Sequence, residues 1–391
     1  MLKQDAQNLQ PQLVQWRRAL HQMPETGLHL PQTRAFLCGV LEEMGLSFRL
    51  HKDTSSLEVL LPGTRPGKTI ALRADMDALP IQEQTKLPFA STNGAMHACG
   101  HDAHMAMLLG AISLLRGMAF PGCIKCLFQA GEEGYNGAQH MVEEGALEQP
   151  HVDAVVGLHV TNAVPELRPG TIGVRSGPLM AGSDAFRIVV TGKSGHISDT
   201  EHVRNPIFAA AHLACAIQRL GELHQSDPEP SVIALGTIHG GVRGNAVPDT
   251  VELQGSIRTL DPDGRATLLE QLNQLLQQCR EETGCQYALS FPEGTGIVIN
   301  DPALTARISG GLGQLLGEDF VPLTSKLMAS DDISVFFQAR KGCYLHLGCG
   351  LEDETELHPL HNSGFCLNED VLWRGTAALV QSALSWLADP T

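Results

Sequence analysis

Met96-His97-Ala98-Cys99-Gly100-His101-Asp102-Ala103-His104 places three histidines, a cysteine and an aspartate within nine residues. The run behind it, small and rich in Met and Leu, reads as a buried helix from about Ala103 to Leu115. A thiolate and an imidazole are soft to borderline ligands, so Cys99 and His101 suit zinc and its first-row neighbours. Working outward, the apolar run Cys123 to Ala130 stops just before Glu132-Glu133, and Asp153-Ala-Val-Val-Gly-Leu158 precedes His159. Upstream, Leu57 to Leu61 and Thr69 to Arg73 read as strands parted by the turn Pro62 to Gly67, and they lead to Asp75 and Asp77. Strands alternating with helices predict an α/β sheet with crossover helices. The candidate ligands then fall at the carboxyl ends of strands, where such sheets collect what they bind. A catalytic metal site is the expectation.

The bulk properties narrow the field. A chain of 391 residues exceeds the usual span of one core, so two domains are expected. With 43% hydrophobic and 18% charged residues it has the composition of an ordinary globular protein. A formal charge of −16 argues against nucleic acid as a partner, since neutralising phosphates takes surplus Lys and Arg. Ten cysteines without regular spacing are too sparse for a disulfide scaffold. The opening MLKQDAQNLQPQLVQW has no apolar signal-peptide core, and no stretch approaches the roughly 20 apolar residues of a membrane span. The expected compartment is a reducing cytoplasm, with no membrane partner.

Elsewhere, an amphipathic helix is predicted over Leu9 to Leu20, and a second over Pro31 to Met44, closed by Gly45. The texture changes near Gly182. A strand at Ala185 to Thr191, a helix at Pro206 to Leu220 and strands at Ser231 to Ile238 and Val251 to Thr259 follow. A helix at Ala266 to Thr283 and a strand at Tyr287 to Phe291 complete the series. This is the ferredoxin-like order. Residues 183–292 are therefore expected to form a small α+β domain inserted into an α/β domain made of 1–182 and 293–391. The α/β pattern resumes at Asp301 and carries His346, His358 and His361. The pair Cys123 and Cys126 lies in an apolar strand and lacks a second ligand pair, so both read as core.

With these residues in view, the chain resembles the amidohydrolase branch of metallopeptidase family 20. That branch includes hippurate hydrolases, N-acyl-amino-acid deacylases and plant auxin-conjugate hydrolases. The likeness runs from Arg17-Arg18-Ala-Leu-His21-Gln-Met-Pro24-Glu25 to Pro359-Leu360-His361-Asn362 and rests on HACGHDAHMAMLLGA, FQAGEEGYNGA, GLHV and ALRADMDALPI taken together. It implies a zinc-peptidase-like catalytic domain holding two divalent ions per subunit, zinc, manganese or cobalt, and an inserted lid and dimerisation domain that makes a homodimer. It matches Cys99, His101, Glu133, His159 and His361 to metal ligands, with Cys99 between the two ions, and Glu132 to the general base. Asp77 and Asp102 become candidates for orienting the ligands. Where related peptidases carry a histidine ligand two residues before the aspartate, this chain has Asp75.

In Gly192-Lys-Ser-Gly195-His196 the resemblance places a lid histidine that steadies the oxyanion. The usual Pro-His dipeptide downstream is replaced by Thr200-Glu201-His202-Val-Arg204-Asn-Pro206. Asn245 in GGVRGNAVPD and Arg258 in GSIRT match substrate-holding positions, and the planar fork of an Arg suits an α-carboxylate. The implied reaction is hydrolysis of an N-acyl amino acid, or a similar small conjugate, by water activated at the metals.

Other readings of the same residues stand beside these. Cys99 also fits a buried core thiol, or a nucleophile activated by His97 or His101, although acidic neighbours raise a thiol pKa. Glu132-Glu133 also fits a solvated turn, His159 a core histidine and Arg258 a surface charge. His358 rivals His361. A dipeptidase or aminopeptidase on the same scaffold is the nearest alternative activity, and a non-catalytic binding protein retaining the fold is the alternative from another class.

Overall fold

In the computed structural model, which describes residues 1–225, 227, 229, 231–351 and 358–388, the chain divides into two units. The first comprises Met1–Leu179, Ile299–Ser325 and Asp332–Thr391, the second Met180–Val298 and Lys326–Asp331. The first opens with α1 (Leu2–Asn8), α2 (Gln10–His21) and α3 (Pro31–Glu43), and proline within the first two positions starts both α2 and α3. Strands β1 (Phe48–Leu50), β2 (Leu57–Pro62) and β3 (Arg65–Asp75) follow. Helix α4 (His101–Leu115) then leads into β4 (Pro121–Gln129), α5 (Gly137–Glu143), β5 (Ala154–Thr161), β6 (Ile172–Val174) and β7 (Gly177–Met180).

Several limits differ from the sequence reading. The helix expected over Leu9 to Leu20 is α2, and α1 ahead of it was not anticipated. Strand β3 starts at Arg65, inside the expected turn, and runs on to Asp75. Strand β5 continues through Val160 and Thr161, so His159 lies inside it and not beyond its end. Its register explains this, because Thr161 still pairs with a residue of a neighbouring strand, Gly348. Helix α4 starts at His101 because Gly100 caps it at φ 82, a left-handed conformation natural to glycine. A Cβ there would also sit 2.4 Å from Val160 Cγ2. Every residue of α4 except Ser113 and Leu114 is buried, which is why its sequence beyond His104 is apolar or small on nearly all sides.

In the second unit, β8 (Gly182–Thr191), β9 (Gly195–His196) and α6 (Pro206–His224) precede β10 (Val232–Gly240), β11 (Ala246–Val247) and β12 (Thr250–Thr259). Helix α7 (Pro262–Thr283) and β13 (Gln286–Thr295) close it. Four strands form an antiparallel sheet in the order β10-β12-β8-β13. Alternate residues of β8, Phe186, Ile188 and Val190, pack with Leu213 and Ile217 of α6 and Leu268 and Leu272 of α7. Both helices begin with a side-chain cap followed by proline: Asn205 accepts from Ile207 N–H, and Asp261 from Gly264 N–H.

The first unit resumes with β14 (Val298–Asn300), α8 (Pro302–Leu316), β15 (Phe320–Pro322), α9 (Ile333–Ala339), β16 (Lys341–Gly348) and α10 (Leu372–Leu387). Its eight-stranded sheet has the order β1-β2-β4-β3-β5-β16-β6-β15. Strands β4, β3, β5 and β16 run parallel side by side. Such strands are covered on both faces, and this accounts for their largely apolar, buried sequences. Among the described residues, no helix is long and apolar enough to cross a membrane.

Two glycines test this packing in opposite directions. A Cβ on Gly255 of β12 would fall 2.2 Å from the Ala234 carbonyl oxygen and 2.4 Å from the Phe186 ring, whereas one on exposed Gly310 of α8 meets nothing within 4 Å. Gly255→Ala should lose about 1–3 kcal/mol through overpacking. Gly310→Ala should gain up to about 1 kcal/mol from helix propensity. Urea midpoints moving in opposite directions are the expected result.

Candidate metal centre

Parallel β3, β4 and β5 bring their carboxyl ends together, and the chain leaving them supplies the site. Asp75 ends β3 and Asp77 follows it; Glu132 and Glu133 lie in the turn after β4; His159 comes from within β5. Cys99 and His101 flank the capping glycine of α4, and His361 arrives from a distant turn in which it adopts φ 67.

These side chains converge. Cys99 Sγ lies 3.5 Å from His159 Nε2 and 3.3 Å from His361 Nε2. Glu133 Oε1 lies 3.3 Å from His361 Nε2 and 4.0 Å from His101 Nε2. The donor atoms form overlapping triples: Cys99, His101 and His159; Cys99, Glu133 and His361; and His101, Glu132 and Glu133. Within each triple the atoms lie within 4.8 Å of one another. Two triples share Cys99, and a thiolate sulfur can bridge two ions.

The tautomers suit ligation. His101 Nδ1 donates to the Asp77 carbonyl at 2.8 Å and His159 Nδ1 to the Val160 carbonyl at 2.6 Å, which leaves each Nε2 as a lone pair. His101 Nε2 and Glu133 Oε1 are buried without a hydrogen-bond partner in the protein. Buried polar atoms are rarely left so, and these two face each other across the cluster. Burial, with Glu133, Glu132 and Asp75 nearby, pushes the Cys99 thiol well above its usual range. Burial, then His104, pushes His159 well below its own. A thiol raised in this way is a poor nucleophile by itself. A divalent cation is the group that holds such a sulfur as thiolate while keeping imidazoles neutral, so the donor set fits a metal.

Asp77 braces the turn. Its two carboxylate oxygens accept the consecutive N–H groups of Glu132 at 2.9 Å and Glu133 at 3.0 Å, and burial pushes its carboxyl up to about 6. Glu132 Oε1 also accepts the Asp332 N–H at 3.4 Å.

Asp102 departs from the expectation that it orients a ligand. Its carboxylate meets Arg17 Nε at 2.8 Å and His21 Nδ1 at 2.7 Å, because successive helical residues point about 100° apart. His358 lies outside the cluster, and its carbonyl accepts from Asn162. Sequence reasoning missed His104, whose Nδ1 donates to Asp75 Oδ1 at 2.6 Å and whose Nε2 accepts the Val160 N–H. Asp75 also takes Arg73, which reaches Gln129 and Asp332. The signal was present in Arg73-Ala-Asp75 and in the spacing of His101 and His104, which share a helix face.

The second unit carries the other candidates. Strands β9 and β11 pair His196 with Ala246, setting it beside Asn245, whose carbonyl accepts the Ile197 N–H. Burial lowers the pKa of half-buried Arg258; the side chain bonds Ser330 and has no carboxylate partner among the described residues.

Residues 71–385 match the model of peptidase family M20/M25/M40. The chain is 36% identical over 385 residues to thermostable carboxypeptidase 1 of Saccharolobus solfataricus, covering 96% of each. It is 32% identical to the N-acetyl-L-cysteine deacetylase of Bacillus subtilis, covering 96% of this chain and 88% of that one. The crystal structure of a Bacillus subtilis dinuclear metal binding peptidase from the M20 family aligns with a TM-score of 0.82 and 30% identity, over 97% of this chain and 99% of that one. The chain is thus a metal-dependent hydrolase of the amidohydrolase and deacylase kind, and it belongs to the M20/M25/M40 peptidase family.

Asp77→Asn keeps the shape but gives the Glu132-Glu133 turn one acceptor where it had two. Folded protein with divalent-metal affinity lower by about 10–100-fold is the expected outcome, read by calorimetric titration. Wild-type affinity would show that Asp77 does not brace the ligand turn.

Proposed function

We propose that this protein is a dinuclear amidohydrolase that removes the acyl group from N-acyl amino acids or similar small conjugates. The observation that carries the reading is the Cys99 sulfur shared by two ligand triples, with a second carboxylate, Glu132, beside the ligand Glu133. Cys99, His101 and His159 would hold one ion, and Cys99, Glu133 and His361 the other. When bound, the ions supply Lewis acidity, acidifying water and polarising the scissile carbonyl. Zinc, manganese and cobalt all suit this donor set.

The remaining steps belong to the chain. Glu132 takes a proton from the attacking water, whose oxygen adds to the amide carbon. His196 donates to the developing oxyanion. Glu132 returns the proton to the leaving nitrogen as the C–N bond breaks, releasing a carboxylic acid and an amine. Arg258 and Asn245 hold the substrate carboxylate. Residues 1–182 and 293–391 act as the catalytic domain and 183–292 as a ferredoxin-like lid and dimerisation domain, giving a homodimer in the cytoplasm. The carboxypeptidase name of one relative keeps peptides among the amides to test. A binding protein without activity would have no use for Glu132 beside an intact ligand set.

The test is a hydrolysis screen of acetyl-, benzoyl- and long-acyl-amino acids and dipeptides, using chelated protein reloaded with zinc, manganese or cobalt. Activity should require metal. Full activity in metal-free protein, abolished by thiol alkylation, would support a Cys99 nucleophile instead. Glu132→Gln should lower kcat by about 10²–10⁴-fold with metal content unchanged, and Glu133→Gln should lose metal as well. The opposite pattern would exchange the two roles.

In the homodimer, His196 of one subunit would complete the site of the other. Mixing inactive Glu132→Gln with inactive His196→Ala protein under subunit exchange then makes mixed dimers with one intact site, and activity returns. If His196 serves its own chain, the mixture stays inactive. Sedimentation as a monomer at assay concentration would sink the idea before mixing.

A further inference from the structure

The reaction above leaves a buried charged cluster without a role. The His21 ring is fully buried and bonds two carboxylates: Nδ1 to Asp102 at 2.7 Å and Nε2 to Glu83 at 3.1 Å. Arg17 Nε meets the same Asp102 oxygen at 2.8 Å. Glu83 also accepts the Thr85 hydroxyl and, at 2.6 Å, the Ser91 N–H. At its outer end Glu369 meets Arg17 and Arg18, and burying these paired charges costs more desolvation than apolar residues of similar size would. A cluster retained at that cost calls for a structural purpose, and its two ends supply one.

Asp102 follows His101 in the first turn of α4. Glu83 lies in the segment Pro80–Ala95, which has neither helix nor strand and is closed at its neck by the Leu79–Met96 bridge. Structureless loops of this length are uncommon without a function. The next residue, Gln84, donates its backbone N–H to the Ser363 carbonyl at 2.9 Å, two residues beyond His361. His361 itself donates its N–H to the Ala98 carbonyl at 2.9 Å, one residue before Cys99. It holds a left-handed φ of 67, uncommon for a residue other than glycine. Its side chain is 53% exposed, against 13% for Glu133, so packing restrains this ligand least.

We infer that Glu83 and His21 are positioning residues for His361. The ion cluster fixes the Pro80–Ala95 loop against α2 and α4, and through Gln84 the loop fixes the turn that aims His361 Nε2 at Cys99 and Glu133. Asp102 keeps Arg17 when Glu83 is altered, so the α4 end of the cluster stays anchored. The ion position made by Cys99, Glu133 and His361 therefore depends on Glu83, and the position made by Cys99, His101 and His159 does not. This rests on the dinuclear reading proposed above.

The experiment is calorimetric titration of chelator-stripped protein with cobalt(II), alongside thermal melts. Wild type should take up two equivalents. Glu83→Gln should keep one at wild-type affinity and bind the second about 10–100-fold more weakly, the range for loss of a ligand-orienting partner. His21→Phe keeps a ring but removes the bond to Glu83 from the α2 side without constraining the loop backbone, while Arg17 keeps Asp102; it should give the same split, and it decides the matter if Glu83→Gln does not fold. Two unchanged equivalents, or two weakened equally, would overturn the assignment, because a merely structural role does not single out one ion. Wild type binding fewer than two equivalents would instead overturn the dinuclear reading and this inference with it.

Discussion

A buried thiol among carboxyl groups is the constraint around which the first unit is arranged. Burial opposes the ionisation of Cys99 most, and Glu133, Glu132 and Asp75 close by add to it. Such a cluster is stable as a set of anions only where a cation is held, and the surrounding structure is built to hold one without competing for it. The ring N–H groups of His101 and His159 are tied to backbone carbonyls, so their lone pairs face inward. The carboxylate of Asp77 is occupied by two N–H groups, so it braces the ligand turn and does not join the donors. Gly100 lets Cys99 and His101 approach Val160 of β5 more closely than any side chain would allow.

Much of this was legible because metal ligation and strand periodicity both leave local marks. The nine-residue run with Cys99 and His101 announced a ligand segment, and the apolar runs before Glu132 and around His159 read as buried parallel strands. What was not legible depended on direction and on distant pairing. His101 and His104 share a helix face, so spacing alone cannot say which one ligates. The parallel placement of β3 and β5 gives His104 to Asp75 and to the Val160 N–H. Asp102 lies next to a ligand in sequence but on another side of α4, toward α2. His361 is tied to the segment of Cys99 by its backbone N–H to the Ala98 carbonyl, a contact between distant parts of the sequence that no local pattern carries. The short return Lys326–Asp331 into the second unit is equally silent in the sequence, since six residues are too few to show a period.

Exposure differs among the proposed ligands, and the difference has a consequence. Cys99, His101 and His159 are fixed by strand and helix ends inside the core, whereas His361 hangs on a turn whose register is set by hydrogen bonds to other loops. The two triples that share Cys99 are therefore unequal in rigidity although they are similar in chemistry. Sites on regular elements hold their geometry more closely than sites on loops. The Cys99–His101–His159 triple is the preorganised half, and the half containing Glu133 and His361 is the one that neighbouring loops can tune.

The use of backbone carbonyls to orient the His101 and His159 rings, two of the three proposed histidine ligands, follows from the same charge balance. A carboxylate partner makes a histidine more basic and adds negative charge, which suits a site short of it. This site already holds a sulfur and several carboxyl groups, and a further anion behind each ring would favour protonating the ligands over binding a cation. A carbonyl oxygen fixes the tautomer without adding net charge, and it does not titrate. The carboxylate-backed histidine of the stretch, His104, is the one whose second nitrogen is taken up by the protein. What stands behind each ring thus separates them: carbonyls behind His101 and His159, whose Nε2 atoms face the cluster, and Asp75 behind His104, whose Nε2 takes the Val160 N–H of β5.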